Sequence, residues 1–210
     1  MTSLFDRFDL EGVRAGEPEA DEVSRRIVDA AFAEIEIHGW QRVLMRDIAK
    51  RSGVGRATVY RRFATKEALL DALVTAELRK YLEHNAAVRA GLADIGDRIA
   101  ASAAFAVGYL REHPLVKRMR ETEPETLTLA LNSDSLIAFA RDFQARLWQH
   151  ELHGDEPISG DRAQHLRTVA ELHVRLTLSF VVNQNSIVPD ATSDDIRRFA
   201  QRYLTALFEA

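Results

Sequence analysis

Leu44-Met45-Arg46-Asp47-Ile48-Ala49-Lys50-Arg51-Ser52-Gly53-Val54-Gly55-Arg56-Ala57-Thr58-Val59-Tyr60-Arg61-Arg62-Phe63 places two short apolar-patterned runs on either side of Ser52-Gly53. Ile48 and Ala49 mark the inner face of a helix expected over 44–51, and Val54 and Val59 brace a second over 55–62. Two helices cross closely only where a small residue lets their backbones approach, and Ala49 meets that need. The connection must reverse sharply, often through positive φ, which Gly53 allows at little steric cost. With the valines turned inward, Arg56, Ala57, Thr58, Tyr60 and Arg61 are left on or beside the outer face. Arginine suits guanine edges or phosphates, threonine and alanine suit thymine methyls, and tyrosine suits phosphates. An ordinary helical hairpin would satisfy the same spacing without reading DNA.

Charge sharpens the choice. Between Arg46 and Lys66 the basic residues are Arg46, Lys50, Arg51, Arg56, Arg61, Arg62 and Lys66, against the single acid Asp47. The formal net charge of the whole chain is -4, so the rest is distinctly acidic. A concentrated positive patch on an acidic protein has the form expected for local phosphate binding, although a charge run alone is more often a solvated face.

Outward from this segment nearly everything reads as helix, with a period of three to four and no strand alternation. Asp21 is a good N-cap for a helix carrying Ile27, Val28, Ala31, Phe32 and Ile35 on one face, and Gly39 is its stop. Thr65 opens a long helix to about residue 85, with Glu67 opposing the positive end of its dipole. Gly91, Pro114, Pro124, Asn132-Ser133 and 153–160 punctuate the remainder. Helices are expected near 93–112, 115–121, 125–131, 134–151, 161–185 and 192–208. The expected fold is all-α: an extension over 1–20, a three-helix helix-turn-helix module over 21–66, and a helical bundle over 67–210 reached through the long helix. No run approaches the ~20 apolar residues of a membrane span. The absence of cysteine removes disulfides and thiolate chemistry and fits a reducing cytoplasm, where we place the chain.

Residues 24–72 resemble the TetR family of bacterial transcriptional regulators. The likeness is carried by Ile27-Val28-Asp29-Ala30-Ala31-Phe32, Gly39-Trp40, Met45-Arg46-Asp47-Ile48-Ala49, Ser52-Gly53-Val54, Thr58-Val59-Tyr60, Phe63 and Lys66-Glu67-Ala68-Leu69-Leu70, in order and correctly spaced. It implies that Arg56 to Arg62 enter the major groove and that Lys66 contacts phosphate, giving a DNA-binding set of Arg46, Gly55, Arg56, Ala57, Thr58, Tyr60, Arg61, Arg62 and Lys66. Gly55 departs from the serine often found opening such a recognition helix, which removes a side-chain cap and phosphate contact there. Arg61-Arg62 is more basic than the common pattern.

The same resemblance implies a homodimer built on two C-terminal helices, with Leu166, Val169, His173, Leu176, Phe180, Ile196, Phe199, Tyr203 and Leu207 as interface candidates. Burial of those residues within one subunit is the competing reading. Phe105, Tyr109, Met119, Leu127, Phe139, Phe143, Leu147 and Trp148 are candidates for a cavity taking a small apolar or amphipathic effector, though each singly reads as plain core. The expected function is repression from a pseudo-palindromic operator, relieved by that effector. His150 and His153, and His165 and His173, share helix faces without a third ligand, so neither metal nor cofactor is expected. No nucleophile elbow or phosphate-binding glycine loop appears, and no catalysis is expected. A helical ligand-binding or adaptor protein that keeps the helix-turn-helix shape without an operator is the alternative.

Overall fold

The computed structural model describes residues 21–154, 156–183 and 186–208. The extension read over 1–20, with Arg7 and Arg14, lies outside the described residues. The architecture is all-α, as the periodicity predicts. In chain order the helices are α1 (Glu22–His38), α2 (Met45–Ser52), α3 (Arg56–Arg62), α4 (Lys66–Arg89), α5 (Ile95–Glu112), α6 (Pro114–Thr122), α7 (Pro124–Leu131), α8 (Asp134–His153), α9 (Gly160–Val182) and α10 (Ser193–Phe199).

Their ends follow from local chemistry. The Asp21 carboxylate accepts from the amides of Val23 and Ser24, satisfying donors that the first turn of α1 leaves open. At the other end Gly39 takes φ 78°, a conformation costly for any residue with a Cβ. Thr65 Oγ1 accepts from Ala68 N at 3.1 Å where α4 begins. Thr192 and Asp195 cap α10 reciprocally, each side chain bonded to the other's backbone amide.

The chain forms two compact units. The first holds the described residues up to Leu82 together with His113–Leu127; the second holds Glu83–Glu112 and Thr128 onward. The division falls inside α4, and α6 packs with the N-terminal helices rather than with the bundle that contains its sequence neighbours. In the first unit, Ile27, Ile48, Val59, Leu69 and Leu73 are all but sealed from solvent and form one core with Ala30, Ala31, Val43 and Ala49. Burying an aliphatic side chain of that size contributes about 1.5–3 kcal/mol, so this core is what holds three short helices in place.

In the second unit, α5 lays Ile99, Ala100, Ala103, Ala104 and Val107 against Trp148 of α8 and Val169 and Ala170 of α9. Buried Asn85 and Ser102 satisfy one another at 2.8 Å. Arg111 donates to the carbonyl of Phe180 at the end of α9 and to the Asp190 carboxylate, both at about hydrogen-bond length, and so fastens the α9–α10 connection.

The helix expected over 192–208 is not continuous. After α10 the backbone widens into a π turn over Ala200–Leu204 and tightens into a 3-10 turn over Thr205–Phe208. An unbroken α-helix would put Tyr203 on the same face as Ala200. In the π turn Ala200 and Leu204 are buried, while Tyr203 is 54% exposed. His165 Nε2 lies 3.1 Å from the Leu207 carbonyl, and the Phe208 ring meets Trp148 edge-on at 4.5 Å.

Candidate DNA-binding surface

The α2–α3 hairpin is shaped by backbone constraints before any function is asked of it. Gly53 sits at φ 66°, ψ 17°, the left-handed region, and reverses the chain. Arg26 Nη2 donates to the Ser52 carbonyl at 2.7 Å, satisfying an acceptor that the end of α2 leaves open. Gly55 opens α3 at φ -58°, ψ 139° with no side-chain cap, and the amides of Thr58 and Val59 bond back to its carbonyl. Val59 is fully buried, and Val54 and Phe63 pack against the same core.

That anchoring decides which side chains α3 presents. Arg56, Ala57, Tyr60, Arg61 and Arg62 are exposed, and Thr58 is half-buried. Residues 56, 57, 60 and 61 lie on one helical face, opposite Val59. Tyr60, 50% exposed despite its size, stands beside the arginines as an amphipathic donor.

The seven basic residues of the window split into two groups. Arg51 pairs with Glu34 at 2.5 Å, and Arg62 pairs with Asp21 at 2.6 Å. The Ser24 amide foremost, then the Arg62 charge, the Ser24 hydroxyl and the Val23 amide, hold the Asp21 carboxyl below its ordinary range, against an opposing effect of desolvation. Lys66 is tied most closely: its Nζ donates to the Trp40 carbonyl at 2.6 Å, reaches that of Gln41 at 3.4 Å and sits 4.3 Å from the centre of the Trp40 ring. Desolvation there lowers the Lys66 pKa, opposed by the charges of Glu67 and Glu123. The phosphate contact that the resemblance implies for Lys66 therefore competes with bonds the ammonium already makes inside its own module.

Arg46, Lys50, Arg56 and Arg61 form the other group, exposed and pointing away from the core. Arg46 lies 3.6 Å from Asp47, a weak contact between two well-exposed groups. Arg46, Lys50 and Arg56 line an open concavity between α2 and α3, together with Asp47, Ala49, Val54 and Gly55. Lys50 is absent from the set read from the sequence. Its spacing of four from Arg46 on α2 is the signal that places both on one edge. The arrangement is a short helix presenting two arginines, a tyrosine and small side chains, flanked by further cations: a surface fitted to a polyanion with a groove.

The other predicted sites fall as follows. Phe105 and Tyr109 are half-buried, with ring centroids 5.2 Å apart, and both stand near His84. Phe139 and Phe143 pair at 6.1 Å, Phe139 buried and Phe143 half-buried, and Leu147 is half-buried. Trp148 is 1% exposed and belongs to the packed core of the second unit; Met119 and Leu127 lie in the first. Of the interface candidates, Leu166, Val169, His173, Phe180 and Ile196 are buried within the chain's own fold, and Phe199 and Leu207 are half-buried against it. Leu176 and Tyr203 face outward, joined by Leu172, which periodicity alone did not single out.

The family model described as bacterial regulatory proteins, tetR family, matches residues 27–73, the span of the surface just described. No curated protein matches the chain significantly. Among solved structures it is similar to the TetR family repressor AlkX from Dietzia sp., implicated in biodegradation of n-alkanes, with 20% identity, 87% of this chain and 95% of that one covered, and a TM-score of 0.60. The fatty acid degradation regulator FadR from Bacillus halodurans is 16% identical over 89% of this chain and 96% of its own, with a TM-score of 0.61. A TetR-family regulator from Streptomyces coelicolor is 24% identical over 93% of this chain and 99% of its own, with a TM-score of 0.56. At these identities the likeness speaks to the fold.

Proposed function

We propose that this chain, whose residues 27–73 match the tetR family model, is a TetR-type homodimeric repressor that binds a pseudo-palindromic operator and is released by a small apolar or amphipathic effector. One observation carries the DNA-binding half: Arg56, Tyr60 and Arg61 stand exposed on a helix whose opposite side is locked by the fully buried Val59. Two such helices, one from each protomer, would enter successive major grooves about 34–36 Å apart. Arg46 and Lys50 on the flanking helix would meet phosphates, while Ala57 and Thr58 meet base edges; Gly55 allows close approach of the backbone, and Arg62 adds charge beside the Asp21 carboxylate.

The effector half rests on the aromatic pairs of the second unit, half-buried Phe105 with Tyr109 and buried Phe139 with half-buried Phe143, which offer an apolar lining with His84 as a polar neighbour. An effector relieves repression only if it binds one state of the protein better than the other. The protomers would join through the outer face of α9, where Leu172 and Leu176 are exposed, together with Tyr203 after α10.

Selection of bound duplexes from a random pool tests the reading directly, and a two-fold related motif is the expected outcome. On the selected duplex, Arg61→Ala weakens binding by about 1–3 kcal/mol if the side chain reads a base, and lowers the salt slope by about one if it meets phosphate. Recovery of no enriched motif, with Arg61→Ala matching the wild type at every salt concentration, would remove this surface from DNA binding.

A further inference from the structure

The chain enters His113–Leu127 from α5 and leaves it toward α8, yet this segment packs within the first unit. It grips the far end of α1 at successive points. The His113 ring meets Phe32 edge-on, centroids 5.9 Å apart, and its Nε2 lies 3.1 Å from Glu77 Oε2 on α4. Leu115 packs against the core of the helix-turn-helix module. Arg118 Nη2 donates to the Ile37 carbonyl at 2.8 Å, one of the acceptors that the last turn of α1 leaves open. Just beyond the end of α6, Glu123 Oε1 accepts from the Gln41 amide at 3.5 Å.

Gly39 shows how closely Glu123 is seated. A Cβ at that position would stand 2.9 Å from Glu123 Oε1, and φ 78° disfavours one in any case. The Trp40-Gln41 turn is thus held from two sides: the Gln41 amide meets Glu123, while the carbonyls of both residues accept from Lys66. Glu123 also attracts the Lys66 ammonium through space, and its Oε2 is buried with no hydrogen-bond partner among the described residues. Lys66 is the first residue of α4 and follows closely on Arg62, the last of α3.

We propose that Glu123 is a positioning residue for DNA binding, a release catch that holds the Trp40–Gln41 turn and, through Lys66, the junction of α3 and α4 in the operator-competent pose. This rests on the regulator reading above and names how that surface is controlled. The segment bearing the catch is covalently continuous with α5 and, through α7, with α8, the helices that carry the aromatic groups proposed for the effector. A shift of those helices is passed along the chain to a weak, partly solvated contact, which gives way before the apolar core of the module does. Glu123 acts through the turn and neutralises no phosphate, so its loss changes affinity while leaving the number of released counterions the same.

The test compares the full-length chain with Glu123→Ala and with Glu123→Gln, which keeps an acceptor oxygen for Gln41 but drops the charge. Binding to the duplex selected by the wild type is followed by fluorescence anisotropy across a salt series, and amide exchange is followed over residues 39–41 and 64–69. In Glu123→Ala the Gln41 amide exchanges about tenfold faster and duplex affinity falls about fivefold, with the salt slope and thermal midpoint unchanged. Glu123→Gln falls between the two. Wild-type exchange and affinity in both variants overturns the proposal alone, as does an affinity loss accompanied by a shallower salt slope. A wild type that binds no duplex ends the regulator reading and the proposal with it.

Discussion

His173 shows how far one side chain's surroundings can depart from what its position in a pattern suggests. The family resemblance makes it an interface candidate, with burial in one subunit as the competing reading; in the fold it is 4% exposed, with its ring edge-on to Trp148 and centroids 5.3 Å apart. Desolvation pushes its pKa down to about 4. An unfolded chain takes up that proton near the ordinary value of about 6.5, so between the two values the native state binds fewer protons. The stability this neutral histidine permits is fully present above about pH 6.5 and is lost as pH falls toward 4, by about 1.4 kcal/mol per unit. Urea unfolding of the wild type and His173→Leu, compared at pH 7 and about pH 5, checks the sign. The wild type should lose more stability than the variant on acidification; equal losses would mean that the histidine is not held neutral.

At the scale of the element, two neighbouring glycines serve opposite ends of one turn and answer substitution oppositely. Gly53 has positive φ and lies close to the Arg26 guanidinium, 3.1 Å from where a Cβ would stand. Gly53→Ala should destabilise by about 1–2 kcal/mol, the cost of left-handed backbone for a residue with a Cβ. Gly55 has ordinary negative φ and open space around its Cβ position. Gly55→Ser adds the missing cap on α3, and a gain of a few tenths of a kcal/mol, ~0.3, is expected. Thermal melts of the two variants should move in opposite directions from the wild type; a shift of both to lower temperature would show that α3 does not accept a capping side chain. The end of the chain makes the related point. Residues 192–208 carry an unbroken helical period, yet the backbone widens into a π turn at Ala200–Leu204, where Ala200 and Leu204 are buried and Tyr203 is exposed.

For the whole molecule, the question is which surface makes one chain into two. Leu172, 43% exposed, and Leu176, 38% exposed, lie one turn apart on α9, beside the exposed Thr168, Arg175 and Ser179. Two leucines in the open on a helix of this length lose hydration cost when a second copy covers them. Sedimentation of the wild type as a dimer, and of Leu172→Glu/Leu176→Glu as a monomer with unchanged helical circular dichroism, is the expected pair of results. The same variant should lose most of its affinity for a two-fold operator and keep that for a single half-site. A variant that remains dimeric would move the interface off this face.

Much of the fold can be read along the chain because its causes act over a few residues. Helical period, the Asp21 and Thr65 caps, the Gly39 and Gly53 stops and the crowding of arginines around α3 all operate within one or two turns. They suffice for an all-α chain with a cationic helix-turn-helix. Which cations stay free was decided by partners far off in sequence: Arg51 by Glu34, Arg62 by Asp21, Lys66 by the turn at Trp40. The inward turn of Leu166, Val169 and His173, and the seat of Glu123 against Gln41 across 82 positions of chain, are likewise products of packing. A helix with apolar residues on more than one face does not say which face its own core will claim. That choice depends on the volumes and charges of helices brought against it only when the chain has folded.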